Sequence, residues 1–219
     1  MTASTAVDAA PEALAAAPEA TVRKRPKPGE RRVQILQTLA EMLEQPGAER
    51  ITTAALAARL EVSEAALYRH FASKAQMFEG LIEFIEQSVF TLVNQILERE
   101  PAPAAQVGKV LTMLLTFAEK NPGMTRVMVG DALVFEHERL QARMNQFFDK
   151  IEATLKQSLR QGFSSEALAG GSGAPTVDAQ VRASVLTALA LGRMQRFARS
   201  GFKRLPTEHL EASLALINR

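Results

Sequence analysis

The amino-acid sequence predicts an all-α protein with an N-terminal helix-turn-helix domain and a larger C-terminal helical domain. Ala and Leu dominate the composition, and both favour helix over strand. From residue 30 onward, apolar residues recur at three- and four-residue steps, and no segment shows the alternation typical of a strand. Of the 219 residues, 47% are apolar. This is enough to build a real core.

Residues 1–29 are predicted to be a disordered arm, because they are rich in Ala, Pro and Glu and show no amphipathic period. They do not read as a signal peptide, since the positive charge follows the Ala stretch instead of preceding it. The net charge of the chain is only +2, but basic residues cluster at the end of the arm. Such a cluster either contacts an anionic surface such as nucleic acid or keeps the chain soluble, and the sequence favours neither. The cluster comprises Arg23, Lys24, Arg25, Lys27, Arg31 and Arg32.

The predicted DNA-binding domain, residues 30–75, begins with one amphipathic helix. Its apolar residues share one face, and Pro46-Gly47 ends it. The face is formed by Ile35, Leu36, Leu39, Met42 and Leu43.

Two short helices follow, over residues 53–60 and from Ser63 to about His70. Only Glu61-Val62 separates them. A pair joined by so tight a turn is typical of a helix-turn-helix, whose second helix enters the major groove of DNA.

Hydroxyls and cations gather at the starts of these helices and along the second of them. Helix N-termini, hydroxyl groups and Lys are the usual ligands of DNA phosphates. For Ser63 and Ser73, helix capping is the simpler interpretation, and a cap can also contact a phosphate. The candidate DNA-binding residues are Thr52, Thr53, Ser63, Tyr68, Arg69, His70, Ser73 and Lys74.

Residues 76–219 are predicted to form a second helical domain. A capping box at Ser73 and Gln76 starts a long helix that runs to residue 99 or 100 and ends at Pro101 and Pro103. The later segments are helices over 104–120, 124–134, 136–161 and about 178–200, a mobile Gly- and Ser-rich loop at 162–176, a cap at Gly201, and a short helix from Pro206-Thr207.

The helix over 178–200 predicts a homodimer. Its apolar residues lie on more than one face, so it needs cover on two sides. The same chain covers one side and a second copy covers the other. These residues are Val181, Val185, Leu186, Leu189, Leu191, Met194 and Phe197.

Nothing in the sequence points to catalysis, a metal or a cofactor. There are no cysteines and three histidines, and His70, His137 and His209 lie far apart. No Gly-rich phosphate loop or nucleophile elbow is present. No run of roughly 18 apolar residues predicts a membrane span. We therefore expect a non-enzymatic protein of the cytoplasm.

The stretch ITTAALAARLEVSEAALYRHFASKAQMF resembles the DNA-binding signature of the TetR family of regulators, and the resemblance covers about residues 30–80. It implies that Tyr68, His70 and Lys74 lie at the DNA backbone. It also places Thr52 and Thr53 against phosphates. The residues it implies on or beside the base-reading face are Ala65, Ala66 and Arg69.

The later segments EFIEQSVF, FAEKNPGMTRVMVGDALVFEHERLQARMNQFFDKIEATLKQSLR and GRMQRFARSGFKRLPT resemble a branch of this family that acts in nucleoid occlusion, and this resemblance covers roughly residues 30–217. Proteins of that branch bind palindromic chromosomal sites and, when bound, engage the C-terminal tail of the tubulin-like division protein FtsZ. The resemblance implies a nucleoid-associated protein with a tail-binding groove between helices four and five. The implied groove residues are Phe84, Met113, Thr116, Lys120 and Asn121.

Two alternatives stay open. Phe84 and Met113 lie on regular apolar stripes, so their spacing alone favours ordinary core. The whole chain also suits a ligand-responsive TetR-type repressor, in which helices 104–200 enclose a small molecule.

Overall fold

The computed structural model describes residues 29–45, 50–167 and 175–217, in which the chain is helical and contains no strand. The all-α prediction is confirmed. Apart from Gly29, the predicted arm lies outside the described residues, and so does Pro46-Gly47. The helices are α1 (Glu30–Leu43), α2 (Thr53–Arg59), α3 (Glu64–Tyr68), α4 (Lys74–Arg99), α5 (Pro103–Lys120), α6 (Pro122–Met128), α7 (Glu138–Ala167), α8 (Pro175–Arg199) and α9 (Leu210–Ile217).

The first three helices and the start of α4 share a small core, which we call the head. Leu39, Leu56, Leu67 and Phe71 come from different segments, and each is only 1% exposed. Burying four such side chains contributes roughly 1.5–3 kcal/mol each. That packing holds helices as short as α3, which would not be stable alone.

Helices α4 to α8 form the larger body, and α4 belongs to both parts. The long helices α7 and α8 pack against each other and against α5. Phe147 of α7 is fully buried, and its ring meets the ring of Phe90 at 5.4 Å between centroids, edge to face. Side chains therefore fill the centre of the body.

The prediction of a helix over 124–134 is wrong at both ends. Helix α6 begins at Pro122, since proline suits the first turn, where its missing N–H is not needed. It ends at Met128, and Gly130 turns the chain in a left-handed conformation, with φ 84°. A short 3-10 helix, Asp131–Leu133, follows.

The predicted loop at 162–176 is also too long. Helix α7 continues to Ala167 and α8 starts at Pro175, while residues 168–174 lie outside the described part. Gly162 costs only about 1 kcal/mol inside a helix, and extending an existing helix is far easier than starting one. One glycine therefore does not stop α7.

Three other boundaries shift by a few residues. Helix α7 begins at Glu138 instead of residue 136, and α9 begins at Leu210, after a turn that follows Pro206. Helix α3 ends at Tyr68, so His70 lies beyond it. The predicted cap at Gly201 is confirmed, with φ 64° at the second residue after the end of α8.

The head and the body meet where α6 packs against α1. A Cβ atom on Gly123 would lie 1.9 Å from the carbonyl oxygen of Ala40. Only glycine allows the two backbones to approach so closely.

Candidate DNA and partner interfaces

Three hydroxyl groups cap the helices of the head. Thr52 Oγ1 accepts from the Ala55 N–H at 3.1 Å and Ser63 Oγ from the Ala66 N–H at 3.3 Å. Ser73 Oγ accepts from the Gln76 N–H at 3.2 Å. The predicted caps at Ser63 and Ser73 are confirmed. In the capping box the Gln76 side chain reaches one residue further back than expected and accepts from the Ala72 N–H.

The solvent-facing side of the five-residue helix α3 carries small side chains. Leu67 is buried, whereas Ala65 is exposed and Ala66 half-buried. Methyl groups of this size let a backbone approach base edges and pack on a thymine methyl. Arg69 caps the C-terminal end of α3 and is exposed, as is His70. The predicted base-reading residues therefore lie on α3 and at its end.

A chain of hydrogen bonds joins α2 to α3. The Tyr68 hydroxyl donates to Thr53 Oγ1 at 3.4 Å, and Thr53 Oγ1 donates to Glu64 Oε2 at 2.6 Å. Tyr68 is nonetheless 45% exposed. This chain fixes the relative position of two residues that the sequence places at phosphates.

Arg32, which the sequence assigns only to a basic cluster, joins α1 to the segment that follows α3. Its Nη1 donates to the His70 carbonyl at 2.7 Å, and its guanidinium lies 4.1 Å from the centre of the Phe71 ring. Arg31 donates to Gln34 in its own helix. The spacing of 38 residues between Arg32 and His70 gave no sequence signal for this contact.

Lys74, the first residue of α4, forms an ion pair with Glu136 of the segment that precedes α7. The ammonium also lies 5.7 Å from the centre of the Phe78 ring. The Lys74 side chain is 27% exposed and that of Glu136 only 10%. A residue expected at DNA thus contacts the body.

A groove runs between α4 and α5, and the predicted partner-site residues on these two helices differ in exposure. Phe84 is 48% exposed, so the core interpretation is wrong for this residue. Met113 is half-buried and packs against the core. It also lines a cavity of about 280 Å³, whose other lining residues are Leu92, Gln95, Ile96, Arg99, Glu100 and Lys109.

The two helices run antiparallel, which fixes which residues face each other. Gln106 Nε2 donates to the Leu97 carbonyl at 3.4 Å, and equal steps away from that contact bring Phe84 level with position 119. Lys120 at the end of α5 is exposed, and Asn121 Nδ2 donates to the Phe117 carbonyl. Thr116 is half-buried. Of the predicted partner-site residues only Met113 lines the cavity, so one groove that joins all five stays a prediction.

The far end of the groove carries an ion pair between Lys109 and Glu100, at 2.5 Å. The hydrogen bond from Lys109, followed by one from the Ala102 N–H, holds the pKa of the Glu100 carboxyl below its usual value. The carboxylate is therefore ionised at neutral pH.

Helix α8 has one buried face and one exposed apolar face. Leu186, Met194 and Phe197 are at most 2% exposed. The exposed side chains of Val177, Val181 and Val185 follow each other at four-residue steps, between 46% and 62% exposed. Leu189 and Leu191 are half-buried. The exposed row leads to a cavity of about 700 Å³ between α8 and residues 204–213.

Two family models match the chain. Residues 35–81 match the bacterial regulatory proteins of the tetR family. Residues 103–219 match the SlmA-like form of the tetracyclin repressor-like C-terminal domain.

Three curated relatives share one name, and the chain matches each of them over most of its length. The nucleoid occlusion factor SlmA of Idiomarina loihiensis is 53% identical over 182 residues, which is 83% of this chain and 90% of that protein. The chain belongs to the SlmA family of nucleoid occlusion factors. SlmA of Aliivibrio fischeri is 52% identical over 88% of this chain and 96% of its own length. SlmA of Vibrio cholerae is 50% identical over 86% and 94%.

Solved structures agree on the fold. The regulator FadR of Bacillus subtilis, in complex with stearoyl-CoA, has a TM-score of 0.66 at 13% identity and covers 84% of this chain and 96% of its own. AibR, in complex with isovaleryl coenzyme A and operator DNA, has a TM-score of 0.64 at 16% identity, with 85% and 97% covered. At these identities the likeness establishes the TetR fold alone.

Two general searches complete the description. No described helix is long and apolar enough to cross a membrane. Across residues 29–45, 50–167 and 175–217, no group of three or more His, Asp or Glu side chains is arranged to hold a metal.

Proposed function

We propose that the chain performs nucleoid occlusion as a homodimer that binds palindromic DNA through the head and captures the C-terminal tail of FtsZ in the α4–α5 groove. It acts in the cytoplasm on the nucleoid and catalyses no reaction. The observation that carries the partner site is the exposure of Phe84 on a helix whose opposite face is core.

The DNA part of the proposal is supported by the surface of α3 and the caps around it. The three N-caps place hydroxyls at the starts of α2, α3 and α4, and hydroxyls and backbone N–H groups at helix starts are common phosphate ligands. Small residues leave α3 free to enter the major groove, and Arg69 is free to reach a guanine. The residues proposed to contact the DNA backbone beside this surface are His70, Ser73 and Lys74.

The dimer part is supported by the exposed valine row of α8. Isolated exposed apolar residues are ordinary, but a continuous row beside a cavity is typical of an interface. A twofold dimer presents two heads, and heads about 34 Å apart read a palindrome on one face of the duplex.

The partner site is supported by the chemistry of the groove. Phe84 offers an anchor of the kind that dominates binding energy at interfaces, and Met113 a deformable apolar wall. The Lys120 cation suits an acidic tail residue, and the Thr116 hydroxyl and Asn121 carboxamide can bond to a peptide backbone.

Sedimentation of FtsZ filaments tests the proposal. The wild-type chain with cognate DNA is expected to reduce the pelleted fraction, and Phe84→Ala to lose this effect while binding DNA normally. Phe135→Ala is the matched control, because Phe135 is 67% exposed but lies outside the groove. Equal behaviour of both variants would remove the groove from the proposal.

Ligand-responsive repression remains the alternative. It needs an enclosed pocket between the body helices, yet Leu114, Phe147 and Leu186 of three different helices are 0% exposed and belong to one core cluster. A small molecule that releases the protein from DNA in a thermal-shift and binding screen would favour it.

A further inference from the structure

Three ion pairs join α4 to the rest of the body, which contributes residues from the start of α7 and from the segment just before it. Lys74 pairs with Glu136, Glu79 with Arg139 at 2.7 Å, and Glu86 with Arg143 at 2.7 Å. In the second and third pairs the body supplies the cation. In the first pair alone it supplies the anion, and that pair is at the end of α4 next to the head.

We propose that Glu136 competes with DNA phosphate for Lys74, so that this carboxylate sets the affinity of the head for DNA and its salt dependence. The inference rests on the proposed DNA-binding role of Lys74. It adds a residue that lies 62 positions away from Lys74 in sequence and outside the helix-turn-helix.

The position of Lys74 supports competition. Its ammonium has three donors on a flexible stem, and 27% of the side chain remains open to solvent. Ser73, immediately before it, turns its hydroxyl to the start of α4, where an anion is favoured. A phosphate bound there lies close to the Lys74 ammonium. The Glu136 carboxylate at that ammonium repels the phosphate.

Glu136 is held in place for this role. Its N–H donates to the Leu133 carbonyl at 3.0 Å, which fixes the turn after the 3-10 helix. With a side chain only 10% exposed, the carboxylate has little freedom to swing away. Lys74 is the more exposed partner, so it is the group that moves when phosphate arrives.

The expected size follows from the strength of the pair. A partly exposed ion pair is formed more often than not, by a factor of about 1.4 to 5. The fraction of free Lys74 multiplies the apparent affinity, so removal of the carboxylate tightens DNA binding by about two- to sixfold for each subunit.

The salt dependence carries a second signature. In the wild type, contact of Lys74 with a phosphate releases a cation from DNA, but it also breaks the Lys74–Glu136 pair, and salt favours this break because it screens the pair. Without that carboxylate only the release remains, so the plot of log affinity against log salt steepens by up to about 0.9 for each subunit.

The experiment measures anisotropy of a labelled duplex, obtained by in vitro selection with the wild-type protein, over a range of salt. Glu136→Gln is expected to bind more tightly and with the steeper slope. Glu138→Gln is the matched control, because Glu138 has the same charge two residues further on and is exposed. Its effect is expected to be smaller. In a Lys74→Met background, Glu136→Gln is expected to gain no more than Glu138→Gln does.

Three outcomes would overturn the inference. They are unchanged or weaker binding by Glu136→Gln, equal gains for Glu136→Gln and Glu138→Gln, or a gain for Glu136→Gln that keeps its full size without Lys74. The slope does not depend on the fraction of active protein, so it is readable even if a variant folds less completely. If wild-type protein selects no duplex, the DNA-binding proposal itself has failed.

Discussion

Single residues at the head combine stability with binding, and Ser63 shows how to separate the two. Its hydroxyl caps α3 by accepting from the Ala66 N–H, and Asn and Asp cap as well as Ser. A phosphate, however, tolerates only the neutral residue. The two roles therefore respond differently to Ser63→Asn and Ser63→Asp.

Ser63→Asp is expected to keep the unfolding free energy within about 0.5 kcal/mol of the wild type. It is expected to lose DNA affinity by about fivefold for each half-site, since two unit charges about 4 Å apart in water repel by about 1 kcal/mol. Urea unfolding and anisotropy measure the two quantities. Ser63→Asn should change neither, and full affinity of Ser63→Asp would make Ser63 a cap only.

Arg69 is the residue whose loss should alter sequence preference. Arg69→Ala is expected to cost about 1–3 kcal/mol on the selected duplex and less on random DNA, because a base contact is lost. Arg199→Ala, an exposed arginine at the end of α8, is the control for charge alone. Equal losses on both duplexes would show that Arg69 contacts phosphate.

Among the helices, those predicted well are those with a clear local signal. The apolar periodicity of α1 predicts that helix to within a few residues. The prolines after α4 and the glycine after α8 lie within a few residues of the helix ends that they mark. Their causes act over one or two turns, so the sequence displays them directly.

Contacts between distant helices were not predictable in the same way. The Lys74–Glu136 pair and the bond from Arg32 to His70 depend on how helices pack, and charged residues are too common for their partners to be guessed. The exposure of Phe84 is a similar case, because an apolar stripe does not reveal whether anything covers it. The partner groove rests on the resemblance, because periodicity gives no signal for it, and it stays a prediction.

The α1–α6 junction gives a prediction at this scale. Gly123→Ala is expected to destabilise the protein by about 1–3 kcal/mol, because its Cβ would overlap the Ala40 carbonyl and force the helices apart. Gly108→Ala, in the middle of α5 with open space around it, should stabilise by about 0.5–1 kcal/mol. Urea unfolding of both variants is the measurement. A mild effect of Gly123→Ala would mean that α6 shifts freely on α1.

At the scale of the whole molecule, the proposed dimer is expected to assemble through the exposed valine row of α8. Val181→Glu places a charge in the centre of that row and is expected to yield monomers in light scattering. Its affinity for a palindrome should then fall to that of a half-site. Val33→Glu is the control, because Val33 on α1 is 54% exposed. A dimeric Val181→Glu would move the interface elsewhere.

The close approach of Gly123 to Ala40 also limits how such a protein can be rebuilt. A chimera that takes its first 75 residues from another regulator would replace α1 but keep α6. The donor's first helix would then have to approach the backbone of Gly123 as closely as α1 does. The head therefore cannot be exchanged as an independent domain without regard to its contact with α6. Changing the DNA address is more safely done by editing the surface of α3 in place than by exchanging the domain.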